Sequence, residues 1–344
     1  MVYGPKRTYL HDEPPSPNLP SSTASPVSRS YLDVLRLDET RVILQGRPKE
    51  NDYIHANWVA CCHGGLRALV QEFPSVRKFI PNVLKLKLSI RTYLDVLRLD
   101  ETRVILQGRP KENDYIQANW VVLPSKANIY AHKRHLMKRS KIFDLWSFRL
   151  QEKVTAIIML CDVVEGGESK CAEYYPTANG KELTFGSIKV KNIHKGKPIE
   201  TIICFTLSVE MSAIHKLLHY KWAEWPDRAA PASVSPMVEL LRKTKPMFTS
   251  EPIVVHCSVG IGRTGTYCAV DYTIDQLVVK EIRKQRLHSV QIALRYLYLH
   301  NCLVEYLIVR KAIQRDANVK KLLRDYEKYL KKYNERNAKA SYIN

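Results

Sequence analysis

The sequence predicts an α/β fold from three observations. Strand-like and helix-like stretches alternate from residue 143 onward, a glycine-bearing loop joins a β-branched run to a helical one in IVVHCSVGIGRTGTY, and the last part of the chain has helical apolar spacing.

Residues 1–30 carry Pro14, Pro15, Pro17, Pro20 and Pro26 among serines and bury too little apolar area to offset their ordering entropy, so disorder is expected there. Residues 31–59 (YLDVLRLDETRVILQGRPKENDYIHANWV) recur as residues 93–121 at an offset of 62, with Gln117 in place of His55. A solenoid needs about three stacked units, so two copies predict a redundant one, assigned to residues 31–66. Between the copies Leu84, Leu86, Leu88 and Ile90 alternate with other residues, as in a half-buried strand, although a helix competes over so short a stretch. FDLWSFRLQEK predicts a helix, VTAIIML a buried strand, and ELTFGSIKVKNI and ETIICFTLSVE further strands. PIVVHC is the strand before the glycine loop, and apolar spacing predicts helices over Thr264–Leu277 and Val290–Val309. Beyond the main domain, residues 67–312, the tail 313–344 has an apolar stripe at Val319, Leu322, Leu323, Tyr326, Leu330 and Tyr333 opposite lysines and arginines. It is an amphipathic basic helix that packs on the domain, or alternatively docks on a membrane surface or partner.

With 344 residues and 45% hydrophobic content, the chain can build one large domain with appendages. It has no run of eighteen apolar residues and no apolar signal segment near Met1, which predicts a cytoplasmic location, with the nucleus as alternative. Its eight cysteines lack CxxC spacing, which favours reduced thiols over disulfides or zinc. Cys61, Cys62 and His63 have metal-ligating chemistry but no distant partners at zinc spacing, so a loop without metal is expected. A net charge of +20, from 54 Lys and Arg against 34 Asp and Glu, attracts polyanions. Acidic lipid or another polyanion is thus a candidate partner for the basic segments, whereas no finger, helix-turn-helix or RNA-binding motif points to specific nucleic acid.

In IVVHCSVGIGRTGTY the strand ends at His256, Cys257 follows, and Arg263-Thr264 opens a helix. Small residues let the backbone N–H groups of Ser258, Val259, Gly260, Ile261 and Gly262 turn inward, and the helix N-terminus adds partial positive charge, which suits a dianionic phosphate. The same field, with a guanidinium nearby, lowers a thiol from about 8.5 to about 3.5–7.5 and makes Cys257 a thiolate. Arg263, six residues on, can lay its planar fork over phosphate oxygens. A nucleotide P-loop is excluded because Arg263 stands where it needs Lys, and a dinucleotide fingerprint has no use for cysteine at the strand end.

These residues resemble the cysteine-based protein tyrosine phosphatases, whose signature HCxxGxxR followed by Ser or Thr is matched by His256, Cys257, Gly260, Arg263 and Thr264. The resemblance, over about residues 91–310, implies a single catalytic domain with a central twisted mixed β-sheet flanked by helices, and no cofactor. It implies hydrolysis of phosphotyrosine-containing proteins through a phosphocysteine: Cys257 the nucleophile, Arg263 the phosphate clamp, Thr264 the stabiliser of the departing thiolate. Trp225-Pro226-Asp227 matches the family's mobile acid loop and makes Asp227 the general acid, which requires an environment that raises its pKa from about 3.9. Gln291 matches a water-positioning glutamine, and Lys170 a lysine near the acid loop. Tyr93 would stack on the substrate ring and Asp95 would hold peptide N–H groups, with Asp114-Tyr115-Ile116 and Ala118-Asn119 completing that motif in the second copy. The departures are Ile292 and Arg295 for a threonine and a second glutamine, Ala229 for a glycine, Val259 for an alanine, and NIYAHKRHLMKRSK where a TQGP segment is usual. Ala229 would strain a loop that needs positive φ there, Val259 would add bulk to the loop floor, and the basic stretch reads as a solvated loop or a site for acidic ligands. Ala229, Ile292, Arg295 and the unmatched segment leave a catalytically weak phosphotyrosine-binding relative as the alternative to an active enzyme.

Overall fold

The β-branched runs become the middle of a nine-stranded mixed sheet in the computed structural model. It describes residues 42–43, 53–54, 88–89, 98–99, 101–111, 113–122, 128–132, 139–247, 251–275 and 279–341. The sheet contains β5 (Arg103–Ile105), β6 (Tyr115–Val122), β7 (Asn128–His132), β8 (Ala156–Met159), β11 (Glu182–Phe185), β12 (Ile188–Ile199), β13 (Ile202–Glu210), β14 (Ile214–Lys221) and β15 (Ile253–His256). Their order is β11-β12-β13-β14-β8-β15-β7-β6-β5. The four central strands β14, β8, β15 and β7 are parallel, and the outer strands pair antiparallel. Every residue of β8 and β15 is buried, as expected of parallel strands covered on both faces. The fold is α/β, and the C-terminal end of β15 delivers the cysteine loop.

Six α-helices accompany the sheet among the described residues: α1 (Arg139–Gln151), α2 (Ser235–Thr244), α3 (Arg263–Asp275), α4 (Val279–Gln285), α5 (Ala293–Val309) and α6 (Ala317–Ser341). Trp146 of α1, Trp222 and Trp225 are wholly buried in the core, each a large apolar contribution to folding. The stripe on α6 packs inward: Val319 and Leu322 meet Val304 of α5, while Tyr326 and Leu330 join the main core. Of the two readings of the tail, packing on the domain holds for this face.

Several expectations change. NIYAHKRHLMKRSK is not a loop throughout: Asn128–His132 is β7, paired with β6 on one side and β15 on the other, and Arg139 opens α1. Backbone pairing between two neighbours overrides the basic composition. ELTFGSIKVKNI splits into β11 and β12 at Gly186, which has φ +62° and lies so close to α1 that a Cβ would stand 2.9 Å from Phe143 Cδ2. Strand β14 and helices α2 and α4 have no counterpart in the sequence reading. The open stretch near Leu88 contains a strand, β3 (Leu88–Ser89), paired with β4 (Arg98–Leu99).

The repeated segment builds the same strand pair twice. In the second copy Ile105 faces Tyr115, and β5–β6 form one end of the large sheet. In the first, β1 (Val42–Ile43) and β2 (Tyr53–Ile54) place Ile43 opposite Tyr53, the residues 62 positions earlier, in a separate two-stranded sheet. Residues 1–30, Cys61, Cys62 and His63 lie outside the described residues.

Candidate active site

The site is built where β15 gives way to α3. Cys257 is buried, and the chain turns back over it at Gly260, whose φ of +77° suits a residue without Cβ. The Gly260 N–H donates to Cys257 Sγ at 3.2 Å. Burial alone would raise the thiol pKa, but the Arg263 guanidinium, the Thr264 hydroxyl and N–H and the Gly260 N–H outweigh it and hold Cys257 below the usual thiol range. Thr264 Oγ1 is buried just outside full hydrogen-bond geometry with any protein group, yet close enough to favour the thiolate. Ser258 and Ile261 are buried, whereas Val259 is 37% exposed.

Arg263, 1% exposed, is held from three directions. Glu165 pairs with both terminal nitrogens at 2.6 and 2.8 Å, Trp225 O accepts from Nη1 at 2.9 Å, and Asp227 Oδ1 lies 3.3 Å from Nη2. A short hairpin, β9 (Val164–Glu165) and β10 (Glu168–Ser169), delivers Glu165. It turns through Gly166 and Gly167, both at positive φ. Lys170, after β10, bridges Glu168 at 2.6 Å and Asp227 Oδ2 at 3.3 Å, which brings it into the acid-loop cluster. The sequence reading missed Glu165; its signal was an acidic residue before a Gly-Gly turn ending in Lys170.

The Asp227 side chain is 35% exposed. Burial pushes its carboxyl up, but Arg263 and Lys170 pull it below the usual range, so the raised pKa expected of it does not exist in this arrangement. The expected strain also moves: positive φ occurs at Arg228 (54°), not at Ala229. The Ala229 carbonyl accepts from Trp225 Nε1 at 3.2 Å and from Arg295 Nε at 3.1 Å. Tyr333 of α6 donates to the Arg228 carbonyl at 3.0 Å, and Tyr298 of α5 to that of Ser233 at 3.1 Å.

His256 points away from the thiol into the core. Its Nε2 lies 2.7 Å from the Tyr174 hydroxyl, which lies 2.6 Å from His219 Nε2. Burial first, then the Arg149 guanidinium, push its pKa down to about 3 and keep it neutral. Arg149 stacks over Trp146 and Tyr174 at 4.8 and 5.0 Å. This neutral chain anchors the strand end, so His256 supports the loop rather than exchanging protons.

Gln291 follows Val290, a buried β-branched residue at φ +56°, a conformation worth about 1–3 kcal/mol of strain. Arg283 donates to the carbonyls of Ser289 and Val290 at 2.8 and 3.1 Å and holds the turn. Gly265 lets α3 approach it, since a Cβ there would stand 2.8 Å from Ser289 Cα. Arg286 joins the loop to the second copy by donating to the Gly260 carbonyl at 3.2 Å and to Asn119 Oδ1. Asn119 in turn donates to Leu99 O and Thr102 Oγ1, both at 2.8 Å, and Arg103 pairs with both Asp114 oxygens. Tyr93 and Asp95 lie outside the described residues.

Among the described residues no group of three or more His, Cys, Asp or Glu side chains could hold a metal ion, and no helix is long and apolar enough to cross a membrane. Chemically, the arrangement joins a stabilised thiolate, an anion cradle, a fixed guanidinium and a carboxyl on an adjacent loop.

The sequence matches the family model described as protein-tyrosine phosphatase over residues 26–79 and 88–305. It is 31% identical to receptor-type tyrosine-protein phosphatase C of Homo sapiens over 231 residues, 62% of this chain and 18% of that protein. It is 28% identical to tyrosine-protein phosphatase non-receptor type 9 of Mus musculus over 279 residues, 70% of this chain and 46% of that protein. The chain thus spans less than half the length of these curated relatives. The crystal structure of the catalytic domain of human protein tyrosine phosphatase non-receptor type 18 is similar with a TM-score of 0.58 and 28% identity, covering 72% of this chain and 96% of that one. A structure of PTPN18 in complex with HER2 phosphopeptides is similar with the same TM-score and 27% identity, covering 72% and 99%.

Proposed function

Because the chain belongs to the protein-tyrosine phosphatase family, we propose that it hydrolyses phosphotyrosine in proteins through a phosphocysteine intermediate. The observation that carries this reading is the Cys257 thiol held below its usual pKa in a loop whose N–H groups face it, with Arg263 fixed alongside. Cys257 Sγ attacks phosphorus, the bond from phosphorus to the tyrosine oxygen breaks, and the departing oxygen takes its proton from Asp227. Water then attacks the phosphocysteine, its proton passes to the Asp227 carboxylate, and the P–S electron pair returns to Cys257. Gln291 orients that water.

Asp227 must be protonated for the first step. A bound phosphoryl dianion draws Arg263 toward itself and sets negative charge beside the carboxyl, and both changes raise its pKa. The ion pairs of Asp227 thus belong to the unliganded site. The partners proposed are phosphotyrosine-containing proteins, in keeping with the HER2 phosphopeptide complex of PTPN18; acidic lipid or another polyanion is a secondary candidate for the basic surface. A weakly catalytic phosphotyrosine binder is the second reading, favoured by the engagement of Arg263 with two carboxylates and a carbonyl.

The test is turnover of phosphotyrosine and phosphoserine peptides by the purified chain in the presence of chelator. Release of phosphate from phosphotyrosine alone, abolished by Cys257→Ser with peptide binding retained, is expected. Binding without turnover supports the second reading, and turnover that requires added metal overturns the thiolate mechanism.

A further inference from the structure

Arg295 occupies the first turn of α5, where the helix dipole is positive and no acidic residue stands. It is 2% exposed. A buried cation at a helix N-terminus is doubly unfavourable, and such a charge ordinarily has an anionic partner. Among the described residues none of the carboxylates pairs with it: Glu165 and Asp227 are bonded to Arg263 and Lys170. Burial lowers its pKa to about 10, still charged at neutral pH; the Cys257 thiolate offsets part of that fall, Arg263 adds to it, and the Asp227 carboxylate, without pairing directly, offsets a little more.

Its contacts are to three parts of the site. Nε donates to the Ala229 carbonyl on the acid loop at 3.1 Å, and Nη1 donates to Gln291 Oε1 at 3.4 Å. The guanidinium also lies on the bare face of Gly262 in the cradle, where a Cβ would overlap Nη1 and stand 2.9 Å from Cζ. Gln291 follows the strained Val290, so the backbone fixes where the glutamine starts and Arg295 fixes where its amide ends.

Resting on the phosphatase reading above, we propose that Arg295 is a positioning residue that ties the acid loop and Gln291 together over the cradle, its charge reserved for the phosphoryl anion bound there. With the loop closed, the same side chain that holds Ala229 also turns Gln291 toward the phosphocysteine. Loop closure and water orientation then become one event. A lysine cannot do both, because its single ammonium replaces two nitrogens aimed at two acceptors.

The test uses the full chain as wild type, Arg295→Met and Arg295→Lys, with two readouts: stopped-flow burst kinetics on p-nitrophenyl phosphate, and the shift in thermal midpoint on titrating orthovanadate. Loss of a charge-assisted bond predicts that Arg295→Met weakens vanadate binding about tenfold and slows phosphocysteine hydrolysis about tenfold more than its formation, so that a burst emerges. Arg295→Lys is expected to recover vanadate binding but not the ratio of the two steps. The proposal is overturned if Arg295→Met leaves both readouts within about twofold of wild type, or if Arg295→Lys restores both. Should the methionine variant not fold, the lysine variant decides by the ratio alone. A wild-type chain that binds vanadate without turnover overturns the phosphatase reading instead, and vanadate affinity then decides the role of Arg295.

Discussion

Lowering the pH from 7 to 5.5 should unfold this protein far more readily than its carboxylates predict. His219, His256 and His300 are all buried, and burial is the leading cause that pushes each down: His256 to about 3, His300 to about 4, and His219 well below its ordinary value. The unfolded chain protonates each near pH 6.5, while the folded chain leaves them neutral. Stability is therefore complete above about pH 6.5 and falls as pH drops toward the folded values, since the unfolded state binds the extra protons. Each histidine contributes a slope of up to about 1.4 kcal/mol per pH unit once the unfolded chain is protonated, so the three together give about 4 kcal/mol per unit between about pH 6 and 5. Against a total stability of about 5–15 kcal/mol, that brings unfolding within reach near pH 5. Urea unfolding at pH 7 and 5.5 should show a loss of about 4 kcal/mol, and His300→Leu, remote from the chemistry, should remove about a third of the slope. A change below about 1 kcal/mol between those pH values refutes the reasoning.

Glu165→Gln keeps one acceptor for Arg263 but turns an N–H group on the guanidinium, so kcat/KM for a phosphotyrosine peptide should fall about 10²-fold; a change within twofold would show that the clamp stands without it. Asp227→Ala should slow turnover by about 10²–10⁴ while peptide affinity is kept, so that the variant traps substrate, and an unchanged kcat would remove it from the mechanism. Tyr93→Ala should impair peptide turnover and Tyr31→Ala should not; the reverse pattern would show that the first copy forms the recognition wall.

How far the molecule could be read from its sequence depended on how local each feature is. The cradle from His256 to Thr264 is contiguous, and its strand, glycines and arginine each carry their own signal. The same holds for Trp225-Pro226-Asp227 and for β8 and β15, whose apolar runs are uninterrupted. Glu165 was not legible as the partner of Arg263 because 98 residues separate them and only the fold joins the two. Strands β7 and β14 were hidden by composition: lysines and histidines occupy alternate or terminal positions, while backbone pairing to neighbours holds the strands. The strain assigned to Ala229 falls on Arg228 because spacing from a motif does not fix which peptide of a turn takes the left-handed conformation.

The twin strand pairs also carry a thermodynamic consequence for the order in which the chain assembles. Both copies carry the same residues except His55 in place of Gln117, and both set the isoleucine opposite the tyrosine, so side-chain contacts give the end of the large sheet little basis for choosing between them. The choice is left to polymer physics. The second copy reaches β7 through a link of five residues, from Val122 to Asn128, whereas seating the first copy would loop out a further 62. Closing the longer loop disfavours the first copy by about 2 kcal/mol, or roughly fifty to one at equilibrium. Proximity along the chain, rather than any difference in sequence, thus selects the occupant, and shortening the stretch between the copies would erode that selection.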